Sequence, residues 1–103
     1  MQSPSPSQQV AIVSVSRSLS HSEACRIADV VLGHGRARTV VLDLKHAADA
    51  TTSAFARLVL LRRYLLSTGR DLRLTGLGHR TAKLYEVSRL DQVLPCQRAH
   101  QLA

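Results

Sequence analysis

Residues 39–44, Thr-Val-Val-Leu-Asp-Leu, are a near-continuous apolar run of strand length. A run of this kind marks a strand buried on both faces, as in a parallel sheet. Parallel neighbours need crossover connections, so helices should flank it. The surrounding sequence supplies them. Val10–Val15 (VAIVSV) alternates and is rich in β-branched residues, so it reads as a strand. Ser20 then opens a helix, with Glu23 three residues on completing a capping box. Ala24, Cys25, Ile27, Ala28, Val31 and Leu32 share its apolar face, and Gly33 and Gly35 end it. After the loop Lys45–Thr51 a second helix is predicted from about Ser53 to Ser67, stopped by Gly69. Its apolar arc holds Ala54, Phe55, Leu58, Val59, Leu61, Leu65 and Leu66. Arg62 intrudes into that arc and must reach water or a partner. Asp71–Leu77 (DLRLTGL) alternates like a strand with one covered face. Residues 79–88 form a third helix with Leu84 and Val87 inward, and a last short strand is expected at 96–99.

The expected fold is therefore α/β: a single sheet of about four strands, mixed or mostly parallel, with helices packed against it. Residues 1–8, rich in Ser, Pro and Gln, read as a disordered tail, and 9–103 as one domain. No apolar run approaches the ~20 residues that span a bilayer. The N-terminus lacks the basic and apolar segments of a signal peptide, so a cytoplasmic protein without membrane insertion is expected.

Little here suggests chemistry. The nucleotide-binding patterns GxGxxG and GxxxxGK[ST] are missing, as is the nucleophile elbow GxSxG. The 2 Glu and 5 Asp form no evident acid–base pair. His21, His34, His46, His79 and His100 fall at loops or helix ends and match no metal spacing, so they read as solvated. Cys25 reads as a small core residue, and Cys25 and Cys96 are too far apart in sequence to suggest a metal site. No catalytic residue, metal or cofactor is expected. The formal net charge is +7, and 12 of the 14 cations are arginine. The basic residues are scattered, and 3% aromatic content leaves no platform for stacking bases. A protein partner fits better than nucleic acid.

One cluster stands out. Thr51, Thr52 and Ser53 sit where the second helix begins. Hydroxyls there cap free backbone N–H groups. They can equally accept phosphate, because a helix N-terminus tolerates the added charge. Leu60 and Tyr64 lie outside the apolar arc, beside Arg57. They read either as scattered surface apolars or as a patch facing a partner.

Residues 39–95 resemble a STAS domain, the module of sulfate transporters and anti-sigma factor antagonists; residues 10–38 fit more loosely. The resemblance rests on the apolar strand ending Asp43-Leu44 and on the hydroxyl cluster opening a leucine-rich helix. It rests further on LRLTGL, a short helix and the LxxVLP end. In anti-sigma factor antagonists the junction typically reads Asp-Ser-Ser-Gly, and its first Ser is phosphorylated by a partner kinase. The four positions here are Thr51, Thr52, Ser53 and Ala54. The resemblance thus implies Thr52 as phosphoacceptor, with Ser53 second. It implies a partner surface drawn from Asp43, Thr51, Thr52, Ser53, Ala54, Arg57, Leu60 and Tyr64. The partner would be an anti-sigma factor or serine kinase, or a transporter ATPase, as for the STAS subunit of lipid-transport ABC complexes; the alternative role is a constitutive STAS subunit of a membrane transport complex of that kind or of the sulfate-transporter type. An uncovered sheet edge further suggests a homodimer.

Overall fold

The computed structural model describes residues 10–33 and 37–97. The tail at 1–8, Gly35, His34, His100 and the end of the expected last strand lie outside them.

In chain order the elements are β1 (Val10–Ser14), β2 (Ser18–Leu19), α1 (His21–Gly33), β3 (Thr39–Asp43), β4 (Asp49–Ala50), α2 (Thr52–Ser67), β5 (Asp71–Thr75), α3 (His79–Val87) and β6 (Cys96–Gln97). A single 3₁₀ turn, Leu90–Gln92, joins α3 to β6. Among the described residues the main sheet has the order β1-β3-β5-β6 and every pairing is parallel. The mixed or mostly parallel sheet expected from the sequence is thus a parallel one.

Register sorts the side chains into two faces. Ala11, Val40 and Leu72 align across the strands, as do Val13, Leu42, Leu74 and Cys96. These positions face the helices, and all but Ala11 join or pack against the core of Ile27, Phe55 and Leu58. Val10, Thr39 and Asp71 align on the opposite face, followed by Ile12, Val41 and Arg73. That face has no helix layer among the described residues, and Val10 and Ile12 are 56% and 69% exposed. The reading of β3 as covered on both sides is therefore corrected. Val41 is buried only because neighbouring strands crowd it, not because a second layer lies over it.

Helix faces needed three further corrections. The buried arc of α1 is Ala24, Ile27, Ala28 and Val31. Cys25 and Leu32 lie one residue step round from it, about 100°, so Cys25 is half-buried and Leu32 exposed. Leu66 of α2 is likewise one step past buried Leu65 and is exposed. In α3 the inward residues are Thr81 and Tyr85, with Leu84 partly buried and Val87 73% exposed. Tyr85 decides that rotation. Its ring meets Phe55 edge-on at 6.5 Å, and its hydroxyl donates to the Leu94 carbonyl at 2.8 Å.

Arg62 found its partner. Its Nε donates to Asp71 Oδ1 at 2.8 Å, tying α2 to the start of β5. Asp71 also accepts from the Leu72 N–H and, at Oδ2, from Arg73 Nε. Burial pushes the Asp71 pKa up, but the bonds from Arg62, Leu72 and Arg73 outweigh it and hold the carboxyl below its ordinary value.

Candidate protein-docking site

The strands β2 and β4 are only two residues each and pair with one another in parallel. Thr51 N–H donates to the Leu19 carbonyl at 3.1 Å, and Ala48 N–H to that of Arg17 at 2.7 Å. These bonds pin the chain just before α2 to the chain just before α1, so the two helices start side by side. Ser20 caps α1, accepting from Glu23 N–H at 3.2 Å. The reciprocal arm of the expected capping box is not made, because the Glu23 carboxylate turns to Arg26 in a bidentate pair at 2.8 Å. The hydrogen bond from Arg26, with its charge, holds the Glu23 pKa low.

At the start of α2 the three hydroxyls have different duties. Thr51 is the N-cap, with extended backbone, and its Oγ1 accepts from Ala54 N–H at 3.1 Å. Ser53 Oγ lies 3.3 Å from Thr51 Oγ1 and joins that network. Thr52 is the first helical residue, and its hydroxyl makes no hydrogen bond among the described residues. All three side chains are exposed.

The outer surface of α2 continues from this end. Ser53, Ala56, Leu60, Arg63, Tyr64 and Ser67 follow helical spacing and are exposed. Leu60 is 53% and Tyr64 56% exposed, and Arg57 borders them half-buried. The helix sequence TSAFARLVLLRRYLLS contains three arginines and no acidic residue. Arg63 and Ala56 belong to this stripe and were missed in the sequence, although their spacing from Leu60 and Ser53 was legible there.

Two of the expected contact residues are elsewhere. Ala54 is fully buried, since the third helical position turns inward, so a docked partner cannot touch its methyl. Asp43 projects on the sheet face opposite α2, among Val41, Lys45 and Thr75. Its Oδ1 accepts from Lys45 N–H at 3.0 Å and its Oδ2 pairs with Lys45 Nζ at 3.3 Å. It shapes the turn after β3 and is not gathered with Thr51–Ser53. Gly76 fits against it: a Cβ there would meet Asp43 Oδ1 at 2.8 Å and Lys45 N at 2.9 Å, and its φ of +73° favours glycine.

Among the described residues no group of His, Cys, Asp and Glu could hold a metal, and no helix is long and apolar enough to cross a membrane. His21, His46 and His79 are exposed.

No protein-family model and no curated protein matches the sequence. Solved structures do. A sulfate transporter family protein from Wolinella succinogenes superposes with a TM-score of 0.71 at 15% identity, over 82% of this chain and 70% of that one. A Thermotoga maritima protein described as an anti-sigma factor antagonist gives 0.73 at 16% identity, over 86% and 79%. The solution structure of that Thermotoga protein gives 0.76 at 16% identity, over 93% and 79%. These superpositions, at 15–16% identity, agree with this chain at the level of the fold, which is STAS-like.

Proposed function

We propose that this protein is a non-enzymatic regulatory domain of the cytoplasm that docks to a protein partner through the start and outer face of α2. The observation that carries the reading is one continuous surface. It runs from the exposed hydroxyls of Thr52 and Ser53 to the exposed pair Leu60 and Tyr64, flanked by Arg57 and Arg63. Exposed apolar side chains ringed by arginine suit a partner with an acidic rim around an apolar spot. An anti-sigma factor or serine kinase is the partner the STAS-like fold suggests.

Thr52 is the phosphoacceptor in this reading, with Ser53 second. Thr51 holds the cap, and Ser53 shares its network, so Thr52 alone is free for transfer without loss of a structural bond. A phosphate at the first helical position meets the free N–H groups and the positive end of the helix dipole. The fold survives, while about two negative charges now sit where an acidic partner surface must approach. Incubating the purified chain with extract of the source cells and ATP, then mapping phosphate by mass spectrometry, tests this. Phosphate at Thr52 or Ser53 is expected; its absence there, or its appearance only at hydroxyls away from α2, contradicts the switch.

A second reading is favoured by the transporter-family neighbour and by the lack of an acidic residue in the first turn of α2. In it the domain is a constitutive subunit on the ATPase of a transport complex. That reading predicts no phosphate at Thr52 and a partner that Thr52→Glu still holds.

A further inference from the structure

Among the described residues β1 is an edge strand, and its outer side is self-complementary. In a parallel ladder alternate residues turn both backbone groups toward the same neighbour. Val15 N–H donates to the Asp43 carbonyl at 3.1 Å, so the odd-numbered positions of this segment point to β3. The N–H and C=O groups of Val10, Ile12 and Ser14 therefore point away from the sheet. Edge strands that stay single carry lysine, proline or a bulge. The sequence VAIVS has none of these. Val10 and Ile12 also project on the uncovered sheet face, where they border a groove of about 530 Å³ with Thr39, Val41 and Arg73.

We propose that two copies of this chain pair through β1, antiparallel about a twofold axis at Ile12, into one continuous eight-stranded sheet. This register sets Ile12 against Ile12 of the second copy and Val10 against its Ser14. Each of these pairs exchanges both its N–H···O bonds, and the groups left over in the single chain are used. A one-residue slip would set outward groups against inward ones and is excluded, and among the two-residue steps this register pairs the most outward groups of β1. Ile12 packs on its symmetry mate on the open face, and the two grooves join. No charged side chain enters the seam, which is why a copy of the same strand fits it better than a charged partner.

A short strand seam buries less than the ~800 Å² per partner of a standard stable interface, so the dimer forms as concentration rises. Each copy carries a net charge of +7. Repulsion between copies is screened by salt, so the dimer tightens with salt, unlike the docking to an acidic partner proposed above.

Sedimentation equilibrium up to about 1 mM, at low and high salt, reads the association. A monomer–dimer equilibrium that tightens with salt is expected, and Ile12→Lys should weaken it at least tenfold with unchanged circular dichroism, since that side chain is exposed. Cysteine cross-linking reads the register, with the wild-type chain controlling for Cys25 and Cys96. Ile12→Cys should close a symmetric disulfide, because paired Cα atoms about 5.5 Å apart fall in the bonding range of about 4.4–6.8 Å. Val10→Cys should not, its two copies being offset by four residues, roughly 14 Å at about 3.4 Å each. A strict monomer at the highest concentration, dimerisation unaffected by Ile12→Lys, or equal cross-linking at both positions would overturn the proposal.

Discussion

Thr51, Asp71 and Gly76 each hold a junction by one identifiable interaction, and each can be tested alone. Thr51→Ala removes the cap of α2 and should cost about 1 kcal/mol, read by urea unfolding. Thr52→Ala removes no bond and should stay within about 0.5 kcal/mol. That contrast separates the capping hydroxyl from the one available for modification. Asp71→Ala strands Arg62 and should cost about 1–2 kcal/mol, a partly exposed pair being worth less than a buried one. The sign of its pH dependence follows from the lowered folded-state pKa. The contribution is fully present above the unfolded value of about 3.9. It is lost as pH falls through the depressed folded value, so the stability gap between wild type and Asp71→Ala should narrow as the solution is acidified below the unfolded value. Gly76→Ala meets both a positive φ and the Asp43–Lys45 turn. It should cost about 2 kcal/mol or more, and a loss under 0.5 kcal/mol would show that the turn relaxes freely.

At the scale of elements, packing decides how far apolar periodicity fixes the place of each side chain. Each long strand and helix was legible because its apolar spacing is strong, from Val10 to Ser14 and from Thr52 to Ser67. The edges of helix faces were not. Leu32, Leu66 and Val87 are apolar but exposed, and only the position of the neighbouring element decides such flanking residues. Tyr85 shows the converse: an ordinary tyrosine in the sequence proves to be the inward anchor of α3 because Phe55 and the Leu94 carbonyl wait for it. The β2–β4 pair was invisible, since two residues carry no period, yet it positions both helix starts. Of the candidate site, the hydroxyl cluster and the pair Leu60 and Tyr64 were legible. The burial of Ala54 and the displacement of Asp43 to the other sheet face were not, because both depend on how α2 rotates over the sheet. If the outer face of α2 serves docking, Leu60→Ala and Tyr64→Ala should change stability by less than about 0.5 kcal/mol. Each should still weaken partner binding at least tenfold, about 1.4 kcal/mol, in a calorimetric titration with the isolated partner.

The whole molecule joins these parts into a one-sided sheet. Helices cover one face and place the start of α2 at the strands' C-terminal end, while among the described residues nothing covers the other face or the β1 edge. The proposed docking on α2 and the proposed self-association through β1 thus call on separate surfaces and predict opposite salt dependences. In the proposed switch, a charge at Thr52 releases the partner without disturbing the fold. A pull-down from the source cells with wild-type protein and Thr52→Glu, read by mass spectrometry for partners and phosphosites, puts this to the test. A glutamate at the first helical position is compatible with the dipole there, so both proteins should show the same thermal unfolding. Wild type should capture an anti-sigma factor or kinase, phosphate should appear on Thr52 or Ser53, and Thr52→Glu should lose the partner. Equal capture of the same ATPase or transporter subunit by both proteins, with no phosphate on either hydroxyl, would contradict it.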